Sequence, residues 1–318
     1  MELEQKPFKG FKLFMMTIRA YAFPASIIPV IYGSLLAVIL NKDIKFDFLL
    51  FFLTLIGAMC VHVGANIVND IYDYKKGIDR EDKKAGIPHG GSMVLSMGLV
   101  SLKEMKLISV ISFLISLILG IIIWRMTGNL VLYLMIFGLF ASVYYTASPL
   151  QLKYKALGDI MVFLGFGTGM TLGAYYVQVK EFSWLPIILS IPLGFLIDAI
   201  LHSNNMRDVK FDKSFGIKTI PILAGEKFSK YFYYFLIIGA YLSIVIFVAT
   251  GLLPWPALFN FITLPTAIKL IKMAKNIPSN GIERFEYGTK YNLLTAQFNM
   301  QFGLTLASGL LVAYLFFL

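Results

Sequence analysis

Two stretches of this sequence place amides and carboxylates at the end of long apolar runs. In the first, Asn66, Asn69, Asp70 and Asp73 follow one another at i, i+3, i+4 and i+7. On a helix this spacing puts the four side chains on one face. Lipid hydrocarbon disfavours such groups, and carboxylates at the membrane are most often functional. This face is therefore interpreted as part of an active or binding site.

The second stretch repeats the pattern in the other half of the chain. Its polar residues are Asn204, Asn205, Arg207, Asp208 and Asp212. Asp208 follows Asn204 by four residues, as Asp73 follows Asn69. When the two stretches are aligned, Gly77 stands where Asp212 stands, and Asp79 comes two residues later. Two acidic helix ends are thus available to face each other.

Carboxylates and amides beside basic residues are suited to a magnesium-bound diphosphate. Mg²⁺ usually takes one or two carboxylates plus phosphate oxygens, so two such stretches can hold two ions on one diphosphate. Without the metal, converging carboxylates would repel one another and take up protons. Lys153 and Arg207 are candidates to neutralise charge that develops on a leaving diphosphate. The alternative interpretation is a set of solvated helix ends with local salt bridges.

Other polar residues give weaker indications. The loop at 86–92, rich in glycine, and the stretch from Gly216 to Thr219, which includes Lys218, are read either as ordinary interfacial turns or as anion cradles. Three histidines, at positions 62, 89 and 202, lack zinc spacing and are expected to be hydrogen-bonded core or loop residues. Tyr145 is one of several tyrosines near helix ends that are candidates to stabilise a carbocation.

Composition identifies the class of protein. The 318 residues are 58% hydrophobic and only 14% charged, and the mean hydropathy is +0.75, which lies outside the range of soluble domains. The sequence predicts an all-α, polytopic membrane protein whose first apolar segment is retained rather than cleaved. A single cysteine, Cys60, excludes an intrachain disulfide and a thiolate metal cluster.

Apolar runs of about twenty residues predict nine transmembrane helices. They lie near 20–40, 47–69, 106–124, 129–147, 157–179, 184–206, 230–252, 254–271 and 293–317. The segment at 254–271 contains three prolines and is expected to be kinked or tilted. We interpret residues 1–318 as one membrane domain with two related halves, about 1–147 and 148–318.

The distribution of basic residues predicts the orientation. With the N-terminus in the cytoplasm, cytoplasmic segments carry 24 Lys and Arg residues, whereas the other side carries only Lys42, Lys45, Arg125 and Lys180. Both polar stretches then lie at the cytoplasmic face and the C-terminus lies on the opposite side. The net charge of +10 comes from loops without an aromatic-interleaved basic stripe. Anionic headgroups or an anionic substrate are therefore expected as partners, and nucleic acid is not.

The ordered series of motifs resembles the UbiA superfamily of intramembrane prenyltransferases, which have nine transmembrane helices and two Asp-rich motifs. The residues that carry the resemblance are Arg19 with 24–29, 66–73 with Gly77 and Asp79, 90–92, 145–146, 152–154 with 156–159, 173–178, and 204–208 with Asp212, Gly216 and Thr219. The resemblance implies a central cavity open to the cytoplasmic side, in the membrane of the cell. It is strongest to the menaquinone branch of the superfamily.

The resemblance also implies roles for individual residues. Asn69, Asp73, Asp208 and Asp212 would hold Mg²⁺ and diphosphate, Asp70 would support them as a further candidate ligand, and Lys153 and Arg207 would bind phosphate oxygens. The candidate catalytic residues are Asp70, Asp73, Lys153, Arg207, Asp208 and Asp212. The candidate substrate-binding residues are Arg19, Asn66, Asn69, Asp79, Tyr145, Lys153, Asn204, Asn205, Arg207 and Lys218.

The implied reaction is Mg²⁺-dependent transfer of a polyprenyl group from its diphosphate to an aromatic acceptor. The resemblance favours 1,4-dihydroxy-2-naphthoate as that acceptor. Acceptors such as 4-hydroxybenzoate, homogentisate or a glycerol-phosphate lipid remain alternatives. From another class, a secondary transporter would also place polar groups in two related halves. Its binding groups, however, would lie at mid-membrane on broken helices rather than at helix ends.

Overall fold

The structure is a computed structural model that describes residues 10–78, 91–279 and 281–317. Within these ranges the secondary structure is helical, and the one β-bridge joins Lys155 to Lys218 in parallel. The predicted all-α class is confirmed.

Besides the short 3₁₀ turn Leu152–Tyr154, eleven helical elements follow one another in the described ranges. Their bounds are α1 Gly10–Thr17, α2 Ala20–Leu40, α3 Phe48–Lys75, α4 Leu102–Thr127, α5 Leu130–Tyr144, α6 Gly158–Val179, α7 Leu185–Leu189, α8 Ile191–Ser214, α9 Ile220–Ala249, α10 Trp255–Lys275 and α11 Gly281–Phe316.

Seven of these helices are long and apolar enough to cross a membrane: α2, α3, α4, α6, α9, α10 and α11. Two others coincide with predicted spans but differ in character. Helix α5 is shorter, with 15 residues, and α8 has 24 residues but carries the second polar stretch. The chain is thus a multi-pass membrane protein.

Helices are the expected form because backbone groups in lipid must be hydrogen-bonded within their own segment. The ends of α3 and α4 are capped by side chains. Asp47 accepts a hydrogen bond from the Leu50 amide at 2.9 Å, and Ser101 and Glu104 form a reciprocal capping box at the start of α4. At the other end of α3, Gly77 has φ +82°, so a left-handed turn ends the helix just after the first polar stretch.

The two polar helices have different packing partners. Helix α3 packs against α4 and α2, whereas α8 packs against α9, α11 and α6. The largest core cluster fills the space around α2, α8, α9 and α11 with fully buried aromatic rings. These include Tyr32, Tyr233, Tyr291, Phe298 and Phe302.

Two segments depart from regular α-helix. The first half of α10, Trp255–Thr263, is 3₁₀ helix and changes to α-helix at Leu264, in keeping with the interruption expected from the prolines there. In α6, Phe163–Gly169 is π-helical, which the sequence analysis did not predict. A Cβ on Gly167 would lie 2.5 Å from the Gly194 Cα, so α6 and α8 approach closely at this point because neither residue has a side chain.

Candidate active site

The two polar stretches line one cavity of about 340 Å³. Helix α3 contributes Asn66, Asn69 and Asp73, and α8 contributes Asn204, Asn205, Asp208 and Asp212. Arg19, Tyr145 and Lys153 line the same cavity. The structure therefore brings together ten of the fourteen residues that the sequence analysis selected. The exceptions are Asp70, Arg207 and Lys218, besides Asp79, which lies outside the described residues.

Asp73 is held by two neighbours from the loop before α6. The Lys153 ammonium lies 2.8 Å from Asp73 Oδ2 and 3.0 Å from Asn69 Oδ1, and the Tyr154 hydroxyl donates to Asp73 Oδ1. Lys153 thus connects an amide and a carboxylate of the first stretch. Because its side chain is 27% exposed, the ammonium is also accessible to an anion in the cavity.

Asp208 is paired with the residue before it. Arg207 donates from Nε to Asp208 Oδ1 and from Nη2 to Oδ2, both at 2.6 Å. This two-point geometry is the strong form of an arginine–carboxylate pair. Gly288 of α11 leaves room for the arginine stem, since a Cβ there would lie 2.5 Å from Arg207 Cγ. Asp208 lines the cavity and Arg207 lies behind it.

Asp212 lies beyond the predicted span at 184–206, in the last turn of α8. Its carboxylate has no hydrogen bond or ion pair with any described residue, although it lines the cavity. Burial and the nearby Asp208 carboxylate raise the pKa of Asp212 to about 7, while Lys153 acts in the opposite direction. A carboxylate in this condition binds a proton or a cation readily.

Asp70 points away from the cavity. Its carboxylate forms an ion pair with Arg19 and accepts a hydrogen bond of 2.6 Å from the Ser92 hydroxyl. It is 1% exposed and is not among the described residues that line the cavity. The Asp70 carboxylate thus contacts Arg19, which does line the cavity, and this geometry does not support the expected role of Asp70 as a direct metal ligand.

Lys218 lies in a second cleft, next to the cavity. With Lys76 and Lys155 it lines a basic recess behind Ile78 and Ile217, and the latter two residues also face the main cavity. The loop containing Lys218 is fixed by its backbone, because the Lys218 amide donates to the Tyr154 carbonyl at 3.0 Å. The structure does not bring this ammonium to the polar stretches.

The cavity residues fit a magnesium diphosphate better than a bare metal ion. No group of three or more His, Cys, Asp or Glu side chains in the described ranges forms a ready-made cage. The amide atoms Asn66 Nδ2 and Asn204 Oδ1 are buried without hydrogen-bond partners. Each Mg²⁺ ion needs only one or two carboxylates from the protein when phosphate oxygens complete its coordination shell. The three carboxylates of Asp73, Asp208 and Asp212 are therefore enough for two ions.

Several residues of the site were not selected from the sequence. Tyr154 and Ser92 position the two aspartates of the first stretch, and their motifs had been noted without a role for either side chain. Asn292 of α11 lines the cavity and donates to the Ile200 carbonyl at 2.8 Å. The sequence signal that could have identified Asn292 is its position as a lone asparagine at the start of an apolar run. Phe166 also lines the cavity, and no sequence signal distinguishes it from other aromatic residues.

The two histidines in the described ranges have hydrogen-bond partners, as expected. His202 Nε2 lies 3.1 Å from the Ser229 carbonyl and its Nδ1 lies 3.4 Å from Asp159 Oδ1. His62 Nδ1 lies 2.6 Å from Ser26 Oγ. His62 differs from His202 because it also lines the cavity. His89 lies outside the described residues.

Comparisons with known proteins identify the family. Residues 26–288 match the UbiA prenyltransferase family. The 1,4-dihydroxy-2-naphthoate octaprenyltransferase of Bacillus subtilis is 29% identical over 313 residues, which cover 98% of this chain and 95% of the relative. The UbiA prenyltransferase domain-containing protein 1 of Danio rerio is 30% identical over 311 residues, covering 94% of this chain and 84% of the relative.

A solved structure gives the same fold. The UbiA homolog from Archaeoglobus fulgidus, bound to DMAPP and Mg²⁺, aligns with a TM-score of 0.61 at 15% identity, covering 93% of this chain and 99% of that chain. The family match over residues 26–288 includes both polar stretches. This chain is therefore an enzyme that belongs to the UbiA prenyltransferase family.

Proposed function

We propose that this enzyme transfers a polyprenyl group from its diphosphate to an aromatic acceptor, with 1,4-dihydroxy-2-naphthoate as the preferred acceptor, in menaquinone biosynthesis. The observation that carries the proposal is the convergence of Asp73 from α3 with Asp208 and Asp212 from α8 on one cavity that Lys153 also lines. Two helices thus offer carboxylates that can hold a metal ion on either side of one diphosphate. Lys153 offers a positive charge for the leaving group.

The proposed binding of the diphosphate is supported by the polar residues that line the cavity where α3 and α8 end, which we call the mouth of the cavity. Asp73, Asp208 and Asp212, with the amide of Asn69, would hold two Mg²⁺ ions. When bound, the metal would neutralise charge on the diphosphate as its bond to the prenyl carbon breaks. Lys153 is placed to bind phosphate oxygens, because its ammonium already bridges Asn69 and Asp73.

Arg19 supplies a second cation to the lining of the cavity. Its backbone is left-handed, with φ 52° and ψ 48°, and its guanidinium is fixed by Asp70. Such an arrangement holds the charge in place before the substrate arrives, so that little reorganisation is needed during the reaction. Asp70 therefore acts in this proposal as a positioning residue.

The inner part of the cavity is apolar. It is lined by Val61, Met161, Val162, Phe166 and Met170 among others. These walls would exclude water from an allylic cation formed when the diphosphate leaves. The aromatic faces of Tyr145 and Phe166 are available to stabilise that cation.

The acceptor rests on similarity rather than on geometry. The Bacillus relative is named for 1,4-dihydroxy-2-naphthoate, and it covers nearly the whole chain. 4-Hydroxybenzoate, homogentisate and a glycerol-phosphate lipid are the competing acceptors within the same chemistry. The transporter alternative is disfavoured, since the chain belongs to an enzyme family and its acidic groups lie at helix ends.

The proposal includes the topology. Nine helices would cross the membrane of the cell, with α5 and α8 joining the seven that satisfy length and hydropathy. The bias of basic residues supports a cytoplasmic N-terminus and a cytoplasmic mouth for the cavity. The two halves, about 1–147 and 148–318, would each supply one acidic helix to the site.

The test uses membranes that contain the full chain. Labelled geranylgeranyl diphosphate, Mg²⁺ and one acceptor at a time are supplied, and the prenylated product and released diphosphate are measured. We expect product with 1,4-dihydroxy-2-naphthoate, none after removal of Mg²⁺ by EDTA, and none with Asp208→Asn. Product with another acceptor alone would replace the naphthoate assignment. The absence of product with every acceptor would refute prenyl transfer.

A further inference from the structure

One polar side chain of the cavity has no task in the chemistry of the diphosphate. His62 lies on α3 four residues before Asn66, which is one turn and roughly 6 Å further from the acidic mouth. It lines the same cavity as the polar stretches, and only 4% of its surface is exposed. A polar ring therefore stands deep in a region whose other walls are mostly apolar.

The ring of His62 is fixed on three sides. Its Nδ1 is 2.6 Å from the hydroxyl of Ser26 on α2. Phe23 and Phe166 meet the ring edge to face, at centroid distances of 6.2 and 4.8 Å. These contacts leave Nε2 as the free nitrogen, because His62 has no hydrogen bond to any described residue except Ser26.

A polar atom in a mostly apolar cavity wall costs free energy unless a ligand or water supplies its hydrogen bond. In His202, the other buried histidine in the described ranges, both ring nitrogens have hydrogen-bond partners in the protein. The free Nε2 of His62 is therefore an open hydrogen-bonding position in the cavity wall.

Small residues in the cavity wall leave room for a flat ring. Gly138 and Gly165 line the same cavity as His62, and a Cβ on either would meet no atom within 4 Å. Ala25 and Ala65 are the neighbouring small residues. Phe166, presented by the π-helical segment of α6, adds an aromatic surface on which a second ring can stack.

The depth also fits an acceptor. The prenyl carbon that reacts is bonded directly to the diphosphate, so the acceptor ring must lie just inside the level of Asn66 and Asn204. A fused bicyclic ring at that level extends inward by about one helical turn, which reaches His62. A prenyl tail alone would have no use for a hydrogen-bonding atom at this place.

We propose that Nε2 of His62 accepts a hydrogen bond from a ring hydroxyl of the aromatic acceptor, and that Ser26 fixes the tautomer by accepting from Nδ1–H. This inference rests on the proposed function. The interaction selects hydroxylated rings and orients the reacting carbon toward the prenyl group. The hydroxyl keeps its proton, so the transfer reaction itself gains no additional step.

The test is a double-perturbation cycle in which both partners of the hydrogen bond are changed. Membranes with the wild-type chain or His62→Phe are given geranylgeranyl diphosphate, Mg²⁺ and either 1,4-dihydroxy-2-naphthoate or one of its two monomethyl ethers. The ratio of kcat/KM for the parent acceptor to that for each ether is measured. We expect the wild-type ratio to be about 100-fold or more for one ether, and His62→Phe to reduce that ratio at least tenfold.

His202→Phe is the matched control, since that ring is equally buried but does not line the cavity. It is expected to keep the wild-type ratio even if it lowers the amount of folded protein. Magnesium-dependent binding of geranylgeranyl diphosphate reports on the integrity of each variant, and His62→Leu, which also lacks a hydrogen-bond acceptor, replaces His62→Phe if the latter does not fold.

The outcomes separate the two proposals. An unchanged ratio in a His62 variant that still binds the diphosphate would overturn the role of His62 while leaving prenyl transfer intact. Equal use of the parent and both ethers by the wild-type chain would do the same without any variant. Failure of the wild-type chain to prenylate any aromatic acceptor would remove the proposed function, and this inference with it.

Discussion

Each of the three carboxylates that line the cavity has a different environment. Asp73 has an ammonium and a phenol as partners, Asp208 has a guanidinium, and Asp212 has no hydrogen-bonding partner among the described residues. The three groups will therefore respond differently to pH and to a metal. Asp212 is the carboxylate whose charge depends most on what enters the cavity.

The first prediction concerns competition between protons and magnesium at Asp212. Its pKa is raised to about 7 by burial and by Asp208, so the group is mostly protonated below pH 7 and Mg²⁺ must displace that proton. We expect the Mg²⁺ concentration for half-maximal binding of a prenyl diphosphate to increase several-fold from pH 8 to pH 6.

The control for this prediction is Asp212→Asn, which cannot bind the proton. At pH 8 the variant should need more Mg²⁺ than the wild type, and between pH 8 and pH 6 its requirement should change less. The diphosphate titrates equally in both proteins, so the difference isolates Asp212. An identical pH dependence in the two proteins would contradict the prediction.

The second prediction concerns Lys153, whose ammonium joins Asn69 to Asp73. Lys153→Met removes a positioned cation from the developing charge, and losses of about 10²–10³-fold in kcat are typical of such changes. The measurement is prenyl transfer at saturating substrate. Lys155→Met is the matched control, because that side chain lines the second cleft instead. Comparable losses in both variants would indicate a general effect of loop charge.

At the scale of the helix, the residues of the first stretch do not all share the same task. With 3.6 residues per turn, Asp70 is rotated by roughly 60° from Asp73 around α3. The sequence pattern correctly predicted one polar face, but a face that wide can contact two surroundings. Arg19 and Ser92 occupy one edge and the cavity occupies the other. That division depends on chain segments far from α3, so spacing within the helix could not predict it.

The ends of the two acidic helices explain why the second stretch has an additional aspartate. Helix α3 ends at Lys75 and the chain turns at Gly77, whereas α8 continues to Ser214. Asp212 is therefore still on a helix and lies one turn after Asp208 on the same face. An aspartate in place of Gly77 would lie at a position with φ +82°, which disfavours any residue other than glycine.

The third prediction concerns the contact between α11 and α8. In Gly288→Ala the added methyl would lie 2.5 Å from Cγ and 2.8 Å from Cβ of Arg207, so the arginine stem must move and its pairing with Asp208 is disturbed. Overpacking of this kind costs about 1–3 kcal/mol. We expect lower thermal stability and weaker binding of the prenyl diphosphate.

Gly57→Ala is the control for this change. The nearest atom to a Cβ at Gly57 is Leu119 Cβ at 3.8 Å, an ordinary contact between α3 and α4, so stability and binding should stay close to wild type. If Gly288→Ala behaves like Gly57→Ala, Arg207 does not depend on the space that Gly288 leaves.

At the scale of the whole molecule, the apolar runs located the helices but not the contacts between the halves. All nine predicted spans lie largely on helical residues of the structure, because hydrophobic length is a local property of the sequence. The bridge between the loop before α6 and the loop after α8 is not local. The Ala156 amide donates to the Lys218 carbonyl at 2.8 Å, and Ile78, from the end of the first polar stretch, joins Tyr154 and Ile217 in a small apolar cluster beside it.

This bridge has a consequence for the site. It fixes the segment that carries Lys153 and Tyr154 to the loop that follows α8, so the partners of Asp73 are held by the same contact that holds the end of the second acidic helix. Neither loop has a pattern that predicts the other. The mouth of the cavity is thus assembled from both halves, although each half could be recognised alone.

The final prediction concerns the side of the membrane on which this mouth lies. The bias of 24 basic residues against 4 predicts that the loop between α2 and α3 is outside the cell and that the segment after α8 is in the cytoplasm. Cys60 is the only cysteine, so Cys60→Ala gives a background for single-cysteine labelling. Asp43→Cys then places one exposed thiol between α2 and α3, and Lys213→Cys places one at the end of α8.

A membrane-impermeant maleimide distinguishes the two positions. In intact cells we expect it to label Asp43→Cys and to leave Lys213→Cys unlabelled, and in inverted vesicles we expect the opposite. Magnesium-dependent prenyl transfer by each variant verifies that the fold is retained. If both thiols were labelled from the same side, an odd number of the five helices between them, α3, α4, α5, α6 and α8, would not cross the membrane. If the pattern were reversed, the diphosphate would leave on the side away from the cytoplasm, and the positive-inside distribution would have to be explained by contacts with substrate rather than by membrane insertion.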